Sequence, residues 1–430
     1  MSLTSEVQKR KQFLLRCYFC KTEYEIDEYG KFYHCQKCGN LLEIVRLGGF
    51  RDVAISKEMQ GIWKYFELIP LWNSANIVSL SEGGTPLVRC RNLGRQLGLE
   101  SLYVKFEGLN PTGSFKDRGM TVGISKAKEL GYKASMCAST GNTSASLAAY
   151  AASAQMRCIV LVPKGKIAMG KMAQAIAFGA EIFQVDGNFD DALRIASEIC
   201  EKDDKTLLLN SLNPFRIEGQ KTVSFEIIEQ LGGVMPDCVI LPVGNAGNIT
   251  AAWKGFLEVK QGALNSLFGT NLAHKTPPRM IGVQAGGAAP IAKAFKNGMR
   301  DSIEPVLSPH TQASAINIGS TVSWMKSLSA IYDSGGAADA VSDEEIFSGQ
   351  RLLASTEGLF VEPASATPIA FLVKIAKEKS KEYTRIRDQT VVCICTGNGL
   401  KDPNSVLKNV RPDQIQTIPV DSISLEKVLA

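Results

Sequence analysis

The chain reads as an α/β protein of parallel sheets covered by helices, in two domains behind a small amino-terminal module. Three observations carry this. Short apolar or β-branched runs alternate with helix-like runs along most of the chain, the pattern of parallel strands joined by crossover helices. Several of the strand-like runs end in small polar loops that carry glycine. Two C-x-x-C pairs, Cys17/Cys20 and Cys35/Cys38, stand ahead of that alternation.

In chain order, strands are expected at Leu102–Glu107, Ser135–Ala138, Cys158–Val162, Glu181–Val185, Thr206–Leu209, Cys238–Leu241, Met280–Gln284 and Thr390–Cys395. Helices are expected between them at Arg118–Leu130, Ser144–Ala154, Lys171–Phe178, Asp190–Lys202, Gly219–Leu231 and Ile249–Val259. Gly131, Gly179 and Gly232 mark helix ends. The expected domains are a module at 1–48, a large domain at 49–109 plus 190–410, a small α/β domain at 110–189, and a tail at 411–430.

The segment Asn110-Pro111-Thr112-Gly113-Ser114-Phe115-Lys116-Asp117-Arg118-Gly119 sets one lysine in a turn between a strand and a helix. A lysine held there in a dry pocket loses its proton and attacks a carbonyl; the plain alternative is a solvated loop. Three further loops follow strand-like runs: Ala138 to Ser146, Pro242 to Thr250, and Cys395 to Pro403. Where such a loop opens a helix, free N–H groups and the positive helix end converge on one point, which suits an anion. Any one of them alone is an ordinary connection; together with the lysine turn they point to one shared site. Gly165 to Met172 imitates a nucleotide-binding loop, but Met172 stands where a magnesium-binding hydroxyl is required. A plain βα connection is therefore expected there.

The paired C-x-x-C knuckles have the spacing of a four-thiolate zinc ribbon, with Cys17, Cys20, Cys35 and Cys38 as ligands. Four thiolates leave no open position, so a structural zinc is expected; the alternative is four free thiols in a leader. At 430 residues the chain is long enough for two cores and a module. A net charge of +5 from 48 basic and 43 acidic residues gives no case for a nucleic-acid surface. No apolar run approaches the roughly 20 residues that span a bilayer, and Met1 to Arg10 lacks a signal-peptide core. Seven further cysteines, most in apolar runs, suit buried thiols in a reducing cytoplasm.

From Ser79 to Pro403 these segments resemble the threonine synthases, pyridoxal-phosphate (PLP) enzymes of fold type II. The resemblance rests on Ser81-Glu82-Gly83-Gly84-Thr85-Pro86-Leu87, Asn110 to Met120, Ala138 to Ser146, Leu209 to Gly219, Pro242 to Thr250 and Glu362-Pro363-Ala364-Ser365-Ala366. It implies that Lys116 forms the imine with the PLP aldehyde and that Asn142 bonds the ring hydroxyl oxygen. Gly244, Asn245, Ala246, Gly247 and Asn248 would cradle the cofactor phosphate, and Thr396 would face the pyridine nitrogen. The family's usual loop has a histidine where this chain has Asn398, which leaves any imidazole role there in doubt.

The implied substrate is O-phospho-L-homoserine, converted with water to L-threonine and phosphate. Asn210 and Arg216, assisted by Thr143, are assigned to its phosphate; the alternative for Arg216 is a salt bridge to Glu218 or another carboxylate. The expected assembly is a homodimer, with no nucleic-acid or membrane partner. Rival activities on the same scaffold are cysteate synthase and serine or threonine ammonia-lyase. From another class, the chain could be a non-catalytic PLP-binding or zinc-ribbon interaction protein.

Overall fold

The computed structural model describes residues 3–50, 53–165, 169–269, 272 and 275–407. The tail expected at 411–430, and Lys166 to Ala168 of the Gly165–Met172 segment, lie outside the described residues. The strands β1 (Phe13–Cys17), β2 (Glu23–Tyr24) and β3 (Leu42–Arg46) form an antiparallel sheet in the order β2-β1-β3. The strands β4 (Leu87–Arg89), β5 (Ser101–Phe106), β6 (Ala134–Ala138), β7 (Arg157–Pro163), β8 (Glu181–Val185) and β9 (Thr206–Leu208) follow. The last four are β10 (Cys238–Pro242), β11 (Arg279–Ala285), β12 (Ala337–Val341) and β13 (Thr390–Cys395).

The larger sheet runs β12-β11-β10-β13-β5-β4 and is parallel except for the edge strand β4. Its central strand β10 is buried along its whole length, which is why Cys-Val-Ile-Leu-Pro shows no polar alternation. Successive residues of β10 and β13 feed two separate apolar clusters: Val239, Leu241, Val392 and Ile394 on one face, Cys238, Ile240, Val391 and Cys393 on the other. The smaller sheet is fully parallel in the order β8-β7-β6-β9. Its edge β8 is largely exposed and carries Glu181, paired with Arg157 across the strand boundary.

The small sheet extends past residue 189, where the sequence reading ended the small domain. β9 pairs in parallel with β6, and the capped helix Phe189–Lys202 packs beneath it. The run expected as one helix at Gly219–Leu231 is two, Pro214–Gln220 and Thr222–Gln230. The first starts early because the Asn213 side chain accepts the Phe215 N–H and Pro214 opens the helix. The module does not stand apart. Its Phe13, Leu15, Tyr29, Tyr33 and Ile44 share one apolar core with Met120, Val160, Leu208 and Phe215.

Candidate active site and metal centre

The lysine turn is held from three sides. Asp117 accepts from the Thr112 N–H at 2.7 Å, the Thr112 hydroxyl at 2.6 Å and the Ser146 hydroxyl at 2.6 Å. Arg118, fully buried, donates to Glu107 at 2.6 and 2.7 Å and to both oxygens of Glu226 at 2.7 Å. Lys105 completes the set, 2.7 Å from Glu226. Two cations and two carboxylates thus neutralise one another out of water, the condition under which buried charge is tolerated. This network ties β5 and the helix Thr222–Gln230 to the first turn of the helix Lys116–Glu129.

Lys116 opens that helix. Burial, and then the Arg216 guanidinium, push its ammonium down from 10.5 to about 7, with the Glu362 carboxylate opposing. Glu362 is buried, and burial raises its own carboxyl above the usual range. Asn142, first residue of the helix Asn142–Ser153, donates its amide to Glu362 at 3.0 and 3.1 Å. Glu362 is also why residue 397 is glycine: a Cβ there would stand 2.5 Å from its Oε1. Beside it the Thr396 and Ser365 hydroxyls pair at 2.8 Å, and Ser365 accepts the Gly397 N–H at 2.7 Å. The Phe115 N–H donates to the Thr396 carbonyl at 3.0 Å, which seats the loop after β13 against the lysine turn.

The loop after β10 is built to present N–H groups. Ala246 takes a left-handed conformation, φ +63°, just before the helix Gly247–Lys260. Such a residue ahead of a helix start turns successive amides toward one point. The loop's carbonyls face away: Ser323 N–H donates to Asn245 O, and the Thr321 hydroxyl to Gly244 O.

Arg216 is buried, and its Nη1 donates to Leu209 O at 3.2 Å. The salt bridge to Glu218 considered from the sequence is not formed, because Glu218 is held by Lys221 at 2.6 Å and by Lys254. No ion pair to Arg216 is found among the described residues. The helices carrying Lys116 and Arg216 meet at Gly119 and Gly219. A Cβ on Gly219 would come 1.8 Å from Arg118 O, and one on Gly119 would come 2.8 Å from Arg216 O.

Thr143 is half-buried in the first turn beside Asn142. Asn210 has a structural duty that the sequence did not reveal: its amide brackets Ala138, accepting the N–H and donating to the carbonyl, both at 2.9 Å. One N–H of that amide is left for another acceptor. Asn398 caps the turn Gly399–Lys401 and donates to Gly108 O at 3.2 Å. Lys401 then reaches back to Thr112 O at 2.7 Å and to Gln174. Two residues went unassigned by sequence reasoning. Glu362 and Ser365 lie in a segment that carried the resemblance, but their roles come only from contacts with Asn142, Gly397 and Thr396.

Four buried polar atoms around these loops lack a protein partner: Ser114 Oγ, Arg216 Nε, Gln220 Oε1 and Asn248 Nδ2. Buried donors without acceptors are rare in folded proteins. Those on Asn248 and Arg216, beside loops of free N–H groups, fit a bound phosphorylated molecule. In the module, the sulfurs of Cys17, Cys20, Cys35 and Cys38 all lie within 4.8 Å of one another. Tyr24 Oη stands 3.1 Å from Cys35 Sγ, and the Cys20 N–H donates to Cys17 Sγ at 3.4 Å. Four sulfurs around one point, with hydrogen-bond donors behind them, fit a tetrahedral thiophilic cation.

Residues 78–397 match the family described as pyridoxal-phosphate dependent enzyme. The chain is 51% identical to the threonine synthase of Methanocaldococcus jannaschii, covering 92% of this chain and 94% of that one. It is 47% identical to the threonine synthase of Methanosarcina acetivorans, covering 95% and 97%. The chain belongs to the threonine synthase family of PLP-dependent enzymes. Its fold is that of fold type II: the processed threonine deaminase isoform 2 of Solanum lycopersicum superposes with a TM-score of 0.62 at 20% identity, over 85% of this chain and 97% of that one. Membership explains why the glycine-bearing loops converge at the carboxyl ends of the strands, where ligands bind in open parallel sheets. No described helix is long and apolar enough to cross a membrane.

Proposed function

We propose that the chain converts O-phospho-L-homoserine and water to L-threonine and phosphate, using PLP, and that Cys17, Cys20, Cys35 and Cys38 hold a structural zinc. The observation that carries this reading is the pairing of a lysine amine lowered to about 7 with a buried guanidinium that has no carboxylate partner among the described residues. The amine suits a carbonyl coenzyme, and the guanidinium suits a phosphate ester.

PLP, when bound, supplies an electron sink for charge developing on the substrate carbons. Lys116 would hold its aldehyde carbon, and the freed Nζ would take and return protons on the substrate. Asn142, oriented by Glu362, would bond the ring hydroxyl oxygen. The Thr396 hydroxyl, oriented by Ser365, would face the pyridine nitrogen as a neutral partner. The amides of Gly244, Asn245, Ala246, Gly247 and Asn248 would take the coenzyme phosphate. Arg216, with Thr143 and the remaining N–H of Asn210, would take the substrate phosphate. Lys401, bonded to Thr112 O and Gln174, ties the loop after β13 to the lysine turn and would help to exclude water there.

Phosphate release from O-phosphohomoserine with threonine detection tests the activity. Parallel assays with O-phosphoserine plus sulfite, and with serine or threonine for ammonia release, test the cysteate synthase and ammonia-lyase readings. Turnover in either parallel assay but not the first would overturn the proposal. Borohydride reduction of the holoprotein should tag the peptide that contains Lys116 and no other. A homodimer is the proposed assembly, checked by sedimentation. The seven cysteines outside the module are buried and unbridged, which supports a reducing, cytoplasmic setting.

A further inference from the structure

The amino-terminal module touches the segment that carries Arg216 at several points. Tyr33 Oη accepts the N–H of Leu208 at 3.1 Å, where β9 ends. The Tyr29 ring packs edge-on against Phe215, centroids 5.5 Å apart at 75°, and against Tyr33 at 5.4 Å and 81°. Phe215 immediately precedes Arg216, and Leu209, beside Leu208, accepts from Arg216 Nη1 at 3.2 Å. Both ends of the Leu208–Arg216 stretch therefore rest on the two tyrosines. A third contact comes through Lys254, which donates to Ile44 O of β3 at 2.6 Å and also pairs with Glu218.

These contacts matter because Arg216 is not held by charge. Its Nε is buried without a partner, and no carboxylate fixes the guanidinium among the described residues. A cation held only by a backbone carbonyl and by packing takes its position from the elements that pack against its segment. Here those are the helix Lys116–Glu129, met at Gly119, and the module, whose Tyr33 lies two residues from the metal-site Cys35.

We propose that Tyr29 and Tyr33 are positioning residues for the reaction, setting the Leu208–Arg216 segment so that Arg216 meets the substrate phosphate. The module is then part of the substrate site and not only a packing domain. This rests on the reading of Arg216 as a phosphate ligand.

The test compares the zinc-replete, PLP-loaded full chain with Tyr33→Phe, Tyr29→Leu, Tyr29→Phe and Arg216→Gln. Tyr33→Phe keeps the ring and removes the hydroxyl that accepts the Leu208 N–H and also bonds the Cys200 thiol. Tyr29→Phe keeps the ring and removes a hydroxyl that is buried without a partner, so its KM should rise less than that of Tyr29→Leu. For Tyr33→Phe and Tyr29→Leu, KM for O-phosphohomoserine should rise roughly five- to tenfold with kcat changed less than about twofold. The Kd of the holoprotein for inorganic phosphate should rise in the same proportion. PLP content, visible spectrum and zinc content should stay at wild type. If Arg216→Gln raises KM and both tyrosine variants leave KM and phosphate affinity unchanged, or lower kcat alone, the positioning role is overturned and the phosphate assignment stands. If Arg216→Gln itself leaves KM and phosphate affinity unchanged, the phosphate assignment fails, and this inference fails with it.

Discussion

The Glu362 carboxylate should raise the pH at which the apoprotein takes up its coenzyme. In the role proposed for Lys116, only its free amine would attack the PLP aldehyde. With the ammonium lowered from 10.5 to about 7, about three-quarters of the protein carries a free amine at pH 7.5. An ordinary lysine would offer about one part in a thousand. Loading followed by absorbance should therefore rise through a midpoint near pH 7 and level off above about pH 8. Glu362 opposes that lowering, and it is the weakest of the three influences on Lys116. Glu362→Gln should move the midpoint down by about one unit or less. At pH 6 a full unit would make loading about fivefold faster than wild type. The same change takes a charged acceptor from the Asn142 amide, worth about 1–2 kcal/mol, so kcat should fall roughly tenfold even as loading accelerates. An upward shift in Glu362→Gln would refute the placement of this carboxylate opposite the lysine, and a wild-type midpoint near pH 10 would refute the dry setting of Lys116 beside Arg216.

Gly219→Ala should force apart the helices that carry Lys116 and Arg216, because the new methyl would meet Arg118 O at 1.8 Å. A stability loss of about 1–3 kcal/mol in urea titrations and a larger proportional loss of kcat/KM are expected. Glu226→Gln leaves Arg118 and Lys105 with one carboxylate between them, Glu107, and should destabilise the protein by about 3–5 kcal/mol. The Glu226 carboxyl is held well below its ordinary 4.5 by Arg118 and Lys105. Its contribution is therefore present above about pH 4.5 and fades as pH falls below that, and the variant should lose that acid-limb slope in denaturation curves. Metal analysis should find about one zinc per chain, falling well below that in Cys17→Ser.

The sequence was most informative where chemistry is local. The cysteine knuckles, the Lys116 turn and the glycine-bearing loops are contiguous, so spacing alone locates them. The strands Glu181–Val185 and Thr390–Cys395 were legible to the residue, because each run of β-branched or apolar residues is bounded by turn formers. β12, Ala-Ala-Asp-Ala-Val, went unseen since its residues have little strand preference and their place comes from pairing with β11. β4 has three residues, too few to show a period. The small sheet's reach to β9 depends on a pairing with β6 some 70 positions away, as the Ala134–Thr206 register shows. Glu362 illustrates the same limit within the site. Its partner Asn142 lies 220 positions earlier, and no local pattern distinguishes a carboxylate that orients an amide from one on a surface.

The Arg118 network and Arg216 are two opposite treatments of buried positive charge on adjoining helices. Arg118 meets two carboxylates and sits in a neutralised set that no ligand needs to enter. Its neighbourhood can be rigid, and that rigidity fixes the first turn of the helix from which Lys116 projects. Arg216 has no such partner among the described residues, and its charge reaches Lys116 and helps lower its proton affinity. An anion arriving at Arg216 would cancel that influence and raise the proton affinity of the amine just as substrate docks. The lysine would then be a weaker acid and a stronger base when a proton must be removed from carbon. If the substrate phosphate docks on Arg216 as proposed, it would do more than anchor the substrate. Binding tunes the base, which predicts that inorganic phosphate should shift the loading midpoint of the apoprotein upward, and that Arg216→Gln should abolish the shift.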